Sequence, residues 1–351
     1  PMGIKLHSSL LLIALSATSA SLVHAAEVSD ARDALTKQST DADSEQALEE
    51  VFEAAESSYS LMKKGGLGLN YSFDYSYYAD QRLSLLIAPQ LDANGDATGS
   101  SNILSADVSP SASHTFTNSF SLDYGLLDNV TIGGRLPLIA KFDTERSITN
   151  FAMGDLSGTV RWQPWGIVPG TISKTVFGSL KLKTADSPYE VDPNRNLATG
   201  SGFYSLSGGA SVSKVLDPVV LFGSGTYAYN IPETDLNQVR DGAKLVEVHP
   251  GSSLSGSMGF AYSLSYDVSL SVSFQASFND ETKFVLERGR ETVNSTVGSQ
   301  VTGIMNFALG LRVSPKTITN INVGFGMTEA APDFLVGFSM PIDIEGIKAS
   351  L

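Results

Sequence analysis

The residues from Gly66 to Tyr78 alternate between large apolar and small polar side chains, and this period constrains the fold more than any other feature. Successive side chains of a β-strand point to opposite faces, so one face of this segment is apolar and the other is polar. A strand of about 10 residues divided in this way is typical of a wall between lipid and water. The apolar face comprises Leu67, Leu69, Tyr71, Phe73, Tyr75 and Tyr77, and the other face comprises Gly68, Asn70, Ser72, Asp74 and Ser76.

Alternating segments separated by turn residues recur along the chain and predict an all-β fold, a transmembrane antiparallel β-barrel of about 12 strands over residues 66–343. Most connections after odd-numbered strands are long and those after even-numbered strands are short, as expected for outer loops and inner turns. A secreted β-sandwich or a β-solenoid would not produce this alternation. The predicted strands span residues 66–79, 114–124, 130–140, 154–163, 174–184, 203–213, 219–231, 254–266, 268–279, 301–313, 317–327 and 334–342.

Composition agrees with this fold and excludes several functions. Charged residues make up 17% of the chain, below the usual quarter of soluble proteins. The net charge of −14 argues against a nucleic-acid partner, which would need a basic surface. The chain contains no cysteine, so disulfides and thiolate chemistry are excluded.

The first 26 residues have the features of a signal peptide, with Lys5 before a short apolar run and Val23-His24-Ala25-Ala26 at the end. That run is too short for a membrane-spanning helix. We expect export to the bacterial outer membrane, with a flexible periplasmic segment over residues 27–43 and the N-terminus in the periplasm. Residues 344–351 are predicted to form a periplasmic tail.

One amphipathic helix is predicted before the barrel, over residues 44–65. Gly65 and Gly66 end it directly before the first strand, so we expect the helix to plug the barrel and act as a gate. Packing against a second copy, or lying on the inner leaflet, would also cover its apolar side. The apolar stripe of this plug contains Leu48, Val51, Phe52, Tyr59 and Met62, and its carboxylates include Glu49, Glu53 and Glu56.

Charged side chains on the predicted inner face are candidate pore-lining residues. Their positive members would face the carboxylates of the plug. The candidates are Asp74, Arg135, Asp155, Arg161, Lys181, Lys183 and Arg312.

No catalytic site is predicted, so we expect a protein that is not an enzyme. After removal of the signal peptide His114 and His249 remain, without partners at metal-ligand spacing. Glycine pairs such as Gly324 and Gly326 lie within strands rather than before a helix, which excludes a nucleotide-binding loop. No cofactor is expected.

The run from Val51 to Lys64, followed by Leu69-Asn70-Tyr71-Ser72-Phe73-Asp74-Tyr75-Ser76-Tyr77, resembles the FapF-type outer-membrane channels of functional-amyloid (Fap) secretion systems. The resemblance implies a twelve-stranded barrel that is closed by an N-terminal helical plug and exports unfolded amyloid subunits. Two further runs, Gly154-Asp155-Leu156 and Gly200-Ser201-Gly202-Phe203-Tyr204, resemble the wider barrel family associated with phenol meta-cleavage pathways. Members of that family are thought to pass small aromatic or hydrophobic solutes.

Three functions therefore remain open for a barrel surrounded by outer-membrane lipid. The first is a gated channel that exports unfolded polypeptide, and the second is an uptake channel for small aromatic or hydrophobic solutes. The third is a scaffold or adhesin that transports nothing. A homo-oligomer is also open, although residues 27–43 contain no heptad repeat that would build a coiled-coil trimer.

Overall fold

The computed structural model describes residues 61–91, 97–144, 147–166, 171–192, 195–216, 219–240, 243–265, 267–288, 291–314 and 317–342. Most of the predicted plug helix lies outside these residues, as do residues 1–60 and 343–351. Among the described residues, no helix is long and apolar enough to cross a membrane. The strands are β1 (Leu67–Leu91), β2 (Ala97–Leu127), β3 (Val130–Asp143), β4 (Ile148–Met153), β5 (Ser157–Trp162), β6 (Ser173–Lys181), β7 (Ser205–Leu216), β8 (Val219–Asn230), β9 (Gln238–Arg240), β10 (Ala243–His249), β11 (Ser253–Ser263), β12 (Val268–Asn279), β13 (Thr282–Arg288), β14 (Glu291–Val297), β15 (Gln300–Ser314), β16 (Thr317–Gly326) and β17 (Phe334–Ile342).

The main sheet closes into a barrel, which confirms the predicted fold. Sequential strands pair antiparallel around the wall, and β1 pairs with both β2 and β17. β4 and β5 both pair with β3, one after the other, so they occupy a single position in the wall. The result is an antiparallel transmembrane barrel with twelve strand positions.

The two faces of the wall follow the alternation in the sequence. Large apolar side chains point outward, as shown by Leu122, Leu254 and Met258, which are 48%, 58% and 67% exposed. Small polar side chains point inward and are buried. They include Ser205, Ser207, Ser211, Ser255, Ser257 and Ser277. An apolar outer surface with a polar interior is the arrangement that lipid outside and water inside require.

We call the two rims of the barrel the short-turn end and the long-loop end. The short-turn end carries the start of β1, the turn at Asp128 and Asn129, and the connections 217–218 and 315–316. The long-loop end carries the connections 182–204, 231–252 and 280–299.

The structure differs from the predicted strand bounds at the long-loop end. β1 and β2 remain paired well beyond residues 79 and 114, so the predicted loop 80–113 is largely a hairpin. The predicted fourth strand begins earlier, at Ile148, and is interrupted at Gly154-Asp155-Leu156. Two predicted loops contain β9, β10, β13 and β14, which form a separate four-stranded sheet. These strands are short, and the period-two pattern is weak over so few residues.

Candidate functional site

The chain reaches the first strand along the inner side of the wall at the short-turn end. The Met62 amide donates a hydrogen bond to Thr131 Oγ1 at 2.9 Å, and Thr131 is a buried, inward-facing residue of β3. The Lys64 amide donates to Asp128 Oδ1 at 3.2 Å. Residues 61–65 form no helix, so the prediction of a helix is wrong for these five residues, and its remainder, 44–60, lies outside the described residues. Met62 bonds to the wall instead of to a preceding turn of helix.

Two inward-facing glycines lie directly under this segment. A Cβ on Gly68 of β1 would overlap the Met62 Cε atom. A Cβ on Gly125 of β2 would overlap the Lys63 carbonyl oxygen and would lie 2.8 Å from the Met62 carbonyl oxygen. The Gly65 amide also donates to the Gly125 carbonyl at 2.8 Å. The absence of side chains at these positions is what allows residues 62–65 to lie against the wall.

Arg161, one of the predicted pore-lining residues, forms an ion pair with Asp123 across the intervening strand. The two side chains meet over Gly133 of β3, where a Cβ would overlap Asp123 Oδ1 and lie 3.1 Å from Arg161 Nη2. In the register Asp123 faces Gly68 on one side and Gly133 on the other. The pair therefore lies in the same row of the inner wall as the segment that precedes β1.

Three other residues predicted to line the pore lie on the inner face of the wall. The Arg135 guanidinium donates to Ser119 Oγ at 2.8 Å. Asp74 lies beside Asn322, with Gly337 between the two on β17. Arg312 lies on the inward face of β15 near the short-turn end, and its backbone amide donates to the Asp267 carbonyl at 2.8 Å.

Asp155 occupies the interruption between β4 and β5, where it binds the loop 182–204. Its Oδ1 accepts hydrogen bonds from the amides of Thr184 and Ala185 at 3.2 and 3.1 Å. Its Oδ2 accepts from the amide and hydroxyl of Ser201 at 2.8 and 2.9 Å. The Lys181 ammonium lies 3.9 Å away, and the Asp155 side chain is 8% exposed. This predicted lining carboxylate therefore holds a loop against the wall.

Lys183 lies beyond the end of β6 and joins two loops of the long-loop end. Its ammonium contacts Glu190 at 3.0 Å and Glu233 at 3.1 Å. Burial acts to lower the pKa of Lys183, but hydrogen bonds and attraction from these two carboxylates outweigh it and raise the pKa above its ordinary value. Glu190 belongs to the loop 182–204 and Glu233 to the loop 231–252, so one charged side chain ties both loops to the rim.

The same loops share a buried apolar core, which we call the loop cluster. Its members come from the three long connections 182–204, 231–252 and 280–299. Phe203 also lies against Lys181, whose ammonium is 4.3 Å from the ring centroid. Because Lys181 faces inward, the loop cluster extends over the β6 side of the barrel interior. The loop cluster comprises Tyr189, Phe203, Leu236, Leu245, Val248 and Phe284.

Sequence reasoning missed several residues of this arrangement. Asp123 lies on the polar face of a correctly predicted strand, so its inward position could have been read from the alternation. Lys141 and Asp143 are buried and face inward because β3 extends past the predicted end at 140. The partners of Lys183 lie in loops, where alternation gives no signal. Of the predicted plug residues, Met62 is described, whereas Leu48, Glu49, Val51, Phe52, Glu53, Glu56 and Tyr59 lie outside the described residues.

No group of three or more potential metal ligands occurs among the described residues. His114 lies on the outer face, where its Nδ1 is 2.9 Å from the Tyr75 hydroxyl and its ring is 5.2 Å from that of Tyr77. His114 is thus surrounded by tyrosines of the outward face of β1.

Comparison with known proteins shows the fold. No family model matches the chain. The COG4313 outer membrane channel from Pseudomonas putida F1 has a TM-score of 0.56 at 13% identity, and the match covers 81% of this chain and 97% of that one. The translocator domain of the autotransporter NalP from Neisseria meningitidis has a TM-score of 0.46 at 9% identity, with 86% and 98% covered. A Pseudomonas aeruginosa FadL homologue has a TM-score of 0.36 at 9% identity, with 78% and 89% covered. The likeness to the first structure shows a shared barrel fold. The likeness to the other two is too weak to show anything more.

Proposed function

We propose that this protein is an outer-membrane channel for small aromatic or hydrophobic solutes, gated by its N-terminal segment, and is not an enzyme. The observation that carries the gating proposal is the inward course of the chain before β1, where the Met62 amide bonds to Thr131 inside the wall. A segment that starts there is held at the mouth of the lumen. The helix predicted upstream has an apolar stripe that must find a surface to cover it.

The long-loop end of the barrel supports the proposed class of solute. The loop cluster and the Lys183 contacts hold three loops together, so opening the long-loop end for an unfolded chain would require separating a buried core. A small solute needs only a local fluctuation of that core. The likeness to a COG4313 outer membrane channel agrees with a channel but specifies no solute. Export of amyloid subunits, implied by the resemblance of residues 51–77, gains no support from these features and stays a prediction.

Conductance in a planar bilayer tests the gate. Deleting residues 44–64 should raise single-channel conductance well above that of the full mature chain. The matched control deletes residues 27–43 and keeps the segment that contacts the wall, so its conductance should stay low. If the first deletion leaves conductance unchanged, the proposed gate is wrong.

Uptake by intact cells tests the solute class. The probe is N-phenylnaphthylamine, an apolar aromatic amine that fluoresces on reaching a hydrophobic environment and is excluded by an intact lipopolysaccharide surface. Cells that make the channel should take up the probe faster than otherwise identical cells that do not make it. Equal rates would refute solute uptake, and appearance of co-expressed amyloid subunits outside the cell would favour export instead.

A further inference from the structure

We propose that Gly68 and Gly125 form a seat for residues 61–64 and that this seat directs the preceding residues into the lumen. The inference rests on the proposed gating by the N-terminal segment and names the wall residues that position it. We call these two glycines, together with Thr131 and Asp128, the glycine seat. Its occupant is a segment of the same chain, which is already in contact with it.

The seat is built from the inner surface of three neighbouring strands. Gly68 is the second residue of β1, Gly125 lies near the end of β2, and Thr131 is the second residue of β3. A side chain at either glycine would occupy space that the Met62 side chain and the Lys63 carbonyl now fill. A glycine within a strand often marks a place where another part of the chain approaches the backbone closely.

Polar contacts fix the position of the segment within the seat. The Met62 amide donates to the side chain of Thr131, on the strand beside the glycines. The Lys64 amide donates to the side chain of Asp128, in the adjoining turn. Gly65 has φ of +77°, a conformation that other residues adopt only with strain, and it turns the chain from the seat into β1. These bonds and the turn together determine that the chain reaches β1 from inside the barrel.

The two glycines differ in how they contact the segment, and this difference makes the proposal testable. At Gly125 a new Cβ would meet the backbone carbonyls of Met62 and Lys63, which cannot move without moving the segment. At Gly68 a new Cβ would meet the end of the flexible Met62 side chain. Gly125→Ala should therefore displace the segment more than Gly68→Ala does, and Met62→Ala should relieve Gly68→Ala but not Gly125→Ala.

The experiment uses the full mature chain carrying Met62→Cys, since the protein has no other cysteine. Labelling of this cysteine by a maleimide reports displacement of the segment from the seat. We expect Gly125→Ala to raise the labelling rate by roughly five- to 100-fold, as the energy of overpacking implies. In parallel, without the cysteine, Gly125→Ala should raise bilayer conductance toward that of the chain lacking residues 44–64.

The matched control is Gly134→Ala, a glycine of β3 on the outer face. Its Cβ would have 3.9 Å to the nearest atom, so labelling and conductance should match those of the parent protein. Assembly of every variant is checked by the change in gel mobility that folded barrels show on heating. If Gly125→Ala assembles but leaves both labelling and conductance at the level of Gly134→Ala, the seat is refuted.

Failure of the seat and failure of the proposed function give different results. If deletion of residues 44–64 opens the pore while Gly125→Ala has no effect, the gate stands and the seat does not. If that deletion fails to open the pore but Gly125→Ala still speeds labelling, the seat holds the segment without gating a channel, and the directing role is overturned.

Discussion

Replacing Asp155 should release the loop 182–204 from the barrel wall, and the structure gives the size of the effect. The carboxylate is nearly buried and accepts hydrogen bonds from three backbone amides, those of Thr184, Ala185 and Ser201. In Asp155→Ala the partly buried amides of Ala185 and Ser201 lose their acceptor, whereas the exposed Thr184 amide keeps the Leu182 carbonyl at 3.0 Å. Each unsatisfied buried donor costs about 1–3 kcal/mol. Because the loop relaxes and water enters, we expect roughly 3–5 kcal/mol in total, as for breaking a buried charged contact.

The Asp155→Asn variant should have an intermediate effect for a geometric reason. Its remaining oxygen can face the amides of Thr184 and Ala185, which places its NH₂ group against Ser201. The Ser201 hydroxyl can rotate to accept a hydrogen bond, but the Ser201 amide then faces another donor. One unpaired amide corresponds to about 1–3 kcal/mol.

Cysteine labelling at Ser187 measures the loop's opening. Ser187 lies in this loop and is 2% exposed. Because the chain has no cysteine of its own, Ser187→Cys introduces a single labelling site. Labelling rates follow the population in which the loop is open, and about 1.4 kcal/mol changes a population tenfold. Asp155→Ala should therefore raise the rate at least roughly 100-fold and Asp155→Asn about tenfold.

The matched control is Asp192→Ala, in the same loop. The Asp192 carboxylate is 3.7 Å from Arg195, and both side chains are exposed, so this pair contributes about 0–1 kcal/mol. Its labelling rate should rise less than about fivefold. If Asp155→Ala labels no faster than Asp192→Ala, Asp155 does not hold the loop, and the reasoning from its hydrogen bonds is refuted.

Two further predictions concern the charged pairs. Because the folded-state pKa of Lys183 is raised, its contribution to loop stability is complete below its ordinary pKa near 10.5 and is lost as pH rises through the raised value. Hydrogen exchange, corrected for intrinsic rates, measures loop opening, which should therefore increase in strongly alkaline solution and not between pH 7 and 9. The Lys183→Met variant should lack this alkaline increase. An identical increase in the variant would contradict the role assigned to Lys183. Gly133→Ala should break the Asp123–Arg161 pair by overlap and lower the free energy of unfolding in detergent by roughly 1–3 kcal/mol, since the pair is only partly buried. Gly134→Ala, on the opposite face, serves as the control, and equal stability of the two variants would contradict the role assigned to Gly133.

The wall could be predicted from the sequence because one physical requirement repeats in every strand. Lipid outside and polar surroundings inside impose a period of two, and positions such as Leu122 and Asp123 are assigned to opposite faces by that period alone. The inward positions of Asp74, Arg135, Arg161 and Arg312 follow in the same way. Pairing in the barrel is local along the chain, so the strand order also follows.

The loops and the partners of the charged groups could not be predicted in this way. Asp155 contacts Ser201, which is distant in sequence, and no periodic pattern relates the two. Gly125 and Gly133 look like ordinary strand glycines until the side chains beside them are placed. The short strands of the separate four-stranded sheet carry too few residues to show a period of two. These features depend on tertiary packing rather than on the local requirement that shapes the wall.

The shared core of the loop cluster has a consequence for the outer surface of the molecule. In a barrel whose loops fold separately, each loop can change its sequence independently. Here Tyr189, Leu236 and Phe284 come from three different loops and fill one volume, so a change in size at one must be matched at the others. We expect these buried positions to vary together among close variants of this chain, while exposed neighbours such as Val239 and Val293 diversify freely.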